Sequence, residues 1–389
     1  MGNHALIYGA SGITGWAIVN AILEGYPDAG AFDKVTALTN RPLSADAAIW
    51  PKSEKLQVVS GIDLGKDGVQ EDMKKRIKDV DTVSHVYFFA YIMDPEPQKE
   101  IDINVDLLKR AVESIDSLST KLKFVVLPTG TKAYGVHLLD KFPWPNELPV
   151  KESLPRIPEP YASEMFYYNQ CDMLDSLSKG KSWTWCEVRP DMIVGFVPNN
   201  NIYCLAQHLA LYLTLYRTIN GAGAEVPFPG TEISWTNLSN DSGQDLIARF
   251  SIYVSLHPET CGNGEAFNTC DSSKPTSWST KWPTICEYFE LKGTPPPAGG
   301  SGPQPPQYVA EHLSEWRELE KKHGLQAGRV GNERSFGGFP YFIMTMLNFD
   351  RQMDMTKTLK TWGEKAEEWD TKQTWYTAFD RFRKAKIIP

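Results

Sequence analysis

His4-Ala5-Leu6-Ile7-Tyr8-Gly9-Ala10-Ser11-Gly12-Ile13-Thr14-Gly15 is an apolar run that breaks into glycines, and Trp16-Ala17-Ile18-Val19-Asn20-Ala21-Ile22-Leu23 continues it with apolar residues at helical spacing. The order is strand, tight turn, helix. In a Gly-x-x-Gly-x-x-Gly turn the missing side chains let the backbone approach a pyrophosphate, and the helix N-terminus supplies amide donors and a favourable dipole. A glycine pattern alone is weak. This one has both flanks and a second strand, Val35-Thr36-Ala37-Leu38-Thr39, about twenty residues on. Gly9, Ser11, Gly12, Ile13, Thr14 and Gly15 are therefore the expected dinucleotide cradle, against the bland alternative of a structural turn.

The end of the second strand decides which cofactor is meant. A carboxylate there would hold the 2′-hydroxyl of NAD, whereas a basic residue accommodates a 2′-phosphate. The chain reads Thr39-Asn40-Arg41-Pro42. Arg41 can form a bidentate pair with phosphate and Asn40 can donate to it, so the reading is NADP(H) rather than a solvated loop arginine.

A chain of 389 residues has ample material for one large α/β domain or a main domain with a smaller lobe. A formal net charge of −8 and no basic run give no footprint for nucleic acid or an anionic membrane. Residues 1–30 begin directly with a strand, and no apolar run has the length of a membrane span, so a cytoplasmic protein is expected. The six cysteines, Cys171, Cys186, Cys204, Cys261, Cys270 and Cys286, lack Cys-x-x-Cys spacing, and the seven histidines are dispersed. A metal site or a serine hydrolase has little support.

Short apolar strands alternate with amphipathic helices along the first half. Strands are expected at 56–64, 82–90, 123–127 and 183–188, with helices ending near Lys78 and running from about Asn104 to Ser117. The alternation predicts an α/β fold, a Rossmann-type doubly wound parallel sheet with helices on both faces. Ligands bind beyond the carboxyl ends of such strands. Asp63 and Leu64, Ala90 and Tyr91, and Pro128 to Lys132 stand there; Tyr91 either lines the pocket or caps its strand. Beyond residue 200 the texture changes to a helix from about Ile202 to Ile219, then a short strand ending at Asn268. A proline- and glycine-rich stretch, 293–306, reads as an exposed loop. The expected division is a nucleotide-binding domain over 1–200 and a smaller, mainly helical substrate lobe over 201–389, with some segments returning to the core.

Reductases with this N-terminal signature generally carry Tyr-x-x-x-Lys. Here Tyr134, Tyr161, Tyr167 and Tyr168 are followed four residues later by Leu138, Met165, Cys171 and Asp172. Two segments supply an answer. Leu127-Pro128-Thr129-Gly130-Thr131-Lys132-Ala133-Tyr134 resembles the Thr-Gly-x-Lys-x-Tyr motif of the progesterone 5β-reductase and iridoid synthase group, an atypical branch of the extended short-chain dehydrogenases, and Phe166-Tyr167-Tyr168 resembles that group's Asn-Phe-Tyr-Tyr motif. The likeness extends through Arg189-Pro190 to Gly195-Phe196, Glu265-Ala266-Phe267-Asn268 and the closing Lys384 to Pro389, covering essentially the whole chain.

That resemblance implies catalytic roles for Lys132 and Tyr167. It also implies NADPH-dependent 1,4-reduction of an activated alkene, with the enolate oxygen held by the Tyr167 phenol and Lys132 adding charge and positioning the cofactor. Pro190 and Ile193 join the expected cofactor contacts, and Tyr91 and Tyr134 the substrate pocket, with packing behind the site the other reading for Tyr134 and Tyr168. A small, apolar, carbonyl-containing substrate is expected, and a homodimer is suggested by the resemblance alone. Met165 replaces the motif's asparagine and Cys171 an acidic residue beside Tyr167, so the group's substrate preference does not carry over. Two other readings stand beside this one: 1,2-reduction of a carbonyl, and a non-redox isomerase, cyclase or NADP(H)-binding regulator on the same fold.

Overall fold

The structure is a computed structural model that describes residues 2–332 and 337–389. Its elements are β1 (Asn3–Tyr8), α1 (Ile13–Leu23), β2 (Phe32–Thr39), β3 (Leu56–Ser60), α2 (Val69–Arg76), β4 (His85–Phe88), α3 (Pro97–Leu118), β5 (Phe124–Pro128), α4 (Phe166–Ser178), β6 (Thr184–Pro190) and β7 (Ile193–Val194). The second half adds α5 (Leu205–Asn220), β8 (Glu225–Pro227), α6 (Glu232–Thr236), β9 (Ser242–Gly243), α7 (Gln244–Ser255), α8 (Pro258–Cys261), β10 (Glu265–Thr269), α9 (Trp278–Glu287) and β11 (Lys292–Thr294). It closes with α10 (Pro305–Glu311), α11 (Leu313–His323), α12 (Phe339–Tyr341), α13 (Thr356–Trp362) and α14 (Thr371–Lys384).

Seven parallel strands form the main sheet in the order β10-β6-β5-β4-β1-β2-β3. Strand alternation explains the two covered faces. Ala5 and Ile7 of β1 and Phe124 and Val126 of β5 pack with α1 and α7, while Leu6, Tyr8, Val125 and Leu127 pack with α2, α3 and α4. After β3 the chain crosses to the other side of β1 to lay down β4, so a crevice opens between the carboxyl ends of β1 and β4.

β10 and α7 come from beyond residue 200 and complete the sheet's edge and one covering layer. The remainder of the second half is mainly helical. It is built on α5, buried without interruption from Leu205 to Leu215, with Gln207, His208 and Thr214 enclosed among its apolar residues. α3 begins at Pro97, earlier than expected. Proline is tolerated there because a first-turn N–H has no intrahelical acceptor. The expected loop at 293–306 is corrected at both ends: Gly293 and Thr294 pair with β8, and Pro305 opens α10. Among the described residues no helix is long and apolar enough to cross a membrane.

Candidate active site

The glycine turn closes on itself. Gly9 has φ +73°, a conformation that side chains rarely adopt, and a Cβ on Gly15 would stand 2.3 Å from the Gly9 carbonyl oxygen. The turn therefore brings the start of α1 hard against the end of β1. Gly12 is the N-cap residue, with no side chain capping the helix. The amides of its first turn are left to an outside acceptor. This is the cradle a pyrophosphate fits.

At the end of β2, Thr39 Oγ1 donates to the Arg41 carbonyl at 2.6 Å, curling the chain so that Asn40 and Arg41 project outward. Arg41 is exposed and pairs with no carboxylate among the described residues. Asp63, past β3, is turned inward on its own loop, accepting from Gly65 N at 3.0 Å and pairing with Lys66 at 3.5 Å; Leu64 is buried. Ala90 follows β4, and Pro190 and Ile193 stand at the end of β6 and in β7.

The end of β5 turns into a single helical turn, 131–134, through Gly130 at φ +149°. A Cβ there would lie 3.2 Å from the Pro190 carbonyl oxygen and 3.8 Å from the Tyr167 hydroxyl. The first turn of α4 thus sets the phenol beside the Gly130 turn. Lys132 is exposed on that turn, and its charge is felt by His137. Burial pushes the Tyr167 phenol well above its usual range, with Glu100, Glu187 and Tyr203 adding to the rise; none of the groups weighing on it is a cation. Tyr167 is a neutral donor.

Its neighbours form an aromatic wall. Phe166 meets Tyr167 edge-on with centroids 4.5 Å apart and stacks on Tyr91 at 5.5 Å; Tyr91 packs on Tyr203, and Tyr203 on Phe339. The Tyr91 hydroxyl donates to the Glu100 carboxylate, which ties the end of β4 to the first turn of α3. Tyr91 is 40 % exposed, at the rim of this wall.

Tyr134 is a correction. It is 1 % exposed, with its hydroxyl donating to Asn268 Oδ1 at 2.7 Å and accepting from Arg189 at 3.1 Å, so it lies beneath the site and offers a substrate no surface. Arg189 pairs with Glu187 at 2.7 Å, and Thr129 donates to the other Glu187 oxygen at 2.5 Å. This network locks the ends of β5, β6 and β10 together. Tyr168 ties α4 to the same turn, donating to the Ala133 carbonyl at 2.6 Å. Met165 packs on Tyr168 and Cys171 on Leu174; both are buried.

His137 and Glu100 were missed in the sequence. Burial, with the nearby Lys132 charge, holds the His137 imidazole down at about 4. No spacing signal links Glu100 to Tyr167; the fold alone brings its charge to bear on that phenol.

A profile of the PRISE-like Rossmann-fold domain matches residues 5–389. The short chain dehydrogenase sirQ of Leptosphaeria maculans is 33 % identical over 395 residues, covering 99 % of this chain and 97 % of that one. The 3-oxo-Delta(4,5)-steroid 5-beta-reductase of Arabidopsis thaliana is 24 % identical over 387 residues, covering 99 % of this chain and 93 % of that one. The solved UDP-N-acetylglucosamine 4-epimerase from Methanobrevibacter ruminantium M1 shares the fold, with a TM-score of 0.60 over 99 % of each chain at 14 % identity.

Proposed function

The chain belongs to the PRISE-like Rossmann-fold family, and from that premise we propose that it is an NADPH-dependent reductase of an enone or enal. The observation that carries this reading is the neutral phenol of Tyr167 set beside the Gly130 turn, with Lys132 on that turn. The free Arg41 and the absence of a carboxylate at the end of β2 favour the phosphorylated cofactor. A relative named for reducing a 3-oxo-Delta(4,5)-steroid supports the conjugated carbonyl.

NADPH supplies a hydride to the β-carbon of the alkene. Tyr167 donates a hydrogen bond to the carbonyl oxygen as it becomes an enolate, and because burial keeps the phenol protonated it donates throughout the physiological pH range. Lys132 holds positive charge at the same end of the crevice. The aromatic wall of Phe166, Tyr91 and Tyr203 keeps water from the developing charge, and the α-carbon takes its proton from solvent. The test is NADPH oxidation over a panel of enals, cyclic enones and steroid enones. One saturated carbonyl product per NADPH is expected; NADPH left unconsumed across the panel would remove the proposal.

A further inference from the structure

The ion pair of Asp191 and Arg351 has no part in the chemistry above. Asp191 directly follows β6, its backbone N–H donating to Ser242 Oγ at 2.9 Å. Its Oδ1 accepts from Thr131, the residue before Lys132, at 3.3 Å. Arg351 reaches it from the loop between residues 347 and 355 in the second lobe, held there by its own N–H to the Leu238 carbonyl at 3.1 Å. Arg351 Nε lies 3.3 Å from Asp191 Oδ2, and both side chains are 3 % exposed.

The contact is an ion pair without a hydrogen bond. Asp191 Oδ2 and Arg351 Nε are each enclosed and unsatisfied. Nη1 and Nη2 of Arg351 also find no acceptor among the described residues, yet they are not among the sealed-off atoms, so they reach accessible space. A guanidinium has five donors in a rigid fork, and burying it with so few acceptors is expensive. An apolar pair would join lobe and core at lower cost. The unfilled fork therefore calls for an acceptor that the protein itself does not provide.

We infer that Arg351 anchors the substrate, its terminal nitrogens donating to a neutral oxygen, a ketone, amide carbonyl or hydroxyl, at the end of the molecule remote from the enone. Charge selects that class. Asp191 already neutralises Arg351, and an entering carboxylate would meet the Asp191 oxygen. Connectivity supplies the span: the Gly130-Thr131 turn touches Tyr167 at one end and, through Asp191, Arg351 at the other. The substrate is then an enone with a second oxygen function. This rests on the enone-reductase reading and deepens it.

Two matched pairs of probes test it: a bicyclic octalone enone and its analogue with a second ketone on the far ring, and androst-4-enone and its analogue with a ring-D ketone. Each is titrated into the NADP+-loaded protein by tryptophan fluorescence, and products with NADPH are identified by mass. In at least one pair the diketone should bind roughly tenfold tighter or more, and in Arg351→Met that ratio should fall toward one. Arg351→Lys keeps the charge beside Asp191 and loses the fork, so it should lower the ratio too, and it stands in should the methionine variant not fold. Equal binding within both pairs, no binding by any probe, or a ratio that survives in either variant overturns the anchor. A ratio present in the wild type and lost in the variants, with no saturated product from any probe, overturns the reductase reading and leaves the anchor standing.

Discussion

In the proposed reaction Tyr167 offers an oxyanion a hydrogen bond and no charge, since burial and the carboxylates of Glu100 and Glu187 all disfavour the phenolate. Replacing it with phenylalanine removes that donor while leaving the ring in its aromatic wall. Tyr167→Phe should lower kcat by about 10²–10³-fold, the usual effect of removing one oxyanion donor, with the NADPH dissociation constant unchanged, as steady-state kinetics and a fluorescence titration would show. Arg41 is the proposed 2′-phosphate partner, just past the end of β2. Arg41→Asp puts a carboxylate where the 2′-phosphate would sit, and should weaken NADPH by about tenfold or more while favouring NADH; the ratio of kcat/KM for the two cofactors measures it. Both residues were singled out in the sequence by local signals: a basic residue just after a strand, a tyrosine pair within a motif. Glu100, His137 and Arg351 were not. Glu100 comes from α3, His137 from beyond the Gly130 turn and Arg351 from the 347–355 loop, and folding sets them beside Tyr167, Lys132 and Asp191 respectively.

At the level of elements, the glycine turn was readable because backbone geometry dictates it: nothing larger than hydrogen fits at Gly15 against the Gly9 carbonyl. The strands were equally plain, since alternate residues must serve two packed faces. Element ends were less so. Pro97 and Pro305 look like breakers in the sequence and in fact open α3 and α10. Tyr134 was placed in the pocket from its motif, whereas its position after the Gly130 turn drives it inward to join three strand ends. Tyr134→Phe would leave Asn268 Oδ1 without its donor and remove an acceptor from Arg189. A stability loss of about 1–3 kcal/mol is expected, read from urea unfolding.

Across the whole molecule, buried titratable groups set opposing pH dependences. Burial raises the Asp271 carboxyl to about 7, hydrogen bonds from Thr374 and Gly243 opposing and the Asp241 charge adding. Between its ordinary value and about 7 the folded chain keeps a proton that the unfolded chain has lost, so this group makes stability fall as pH rises across that window. His4, His85 and His137 are held by burial, each with a lysine nearby, to about 4, 3 and 4. Below their ordinary value of 6.5 the unfolded chain binds protons that the folded chain refuses, so stability falls as pH drops. Three histidines outweigh one carboxyl. Thermal midpoints should climb from about pH 4 to about pH 7 and then level off, and Asp271→Asn should steepen the climb by removing the opposing proton.

Hydride delivery to a carbon conjugated with a carbonyl is the reaction proposed for the crevice at the carboxyl ends of β1, β4 and β5, beside the Tyr167 phenol. Deuteride transfer from deuterated NADPH to a cyclic enone, located by NMR, reads that step directly. Deuterium on the β-carbon of a saturated ketone is the predicted result; deuterium on the carbinol carbon of an allylic alcohol, with the alkene intact, would contradict it.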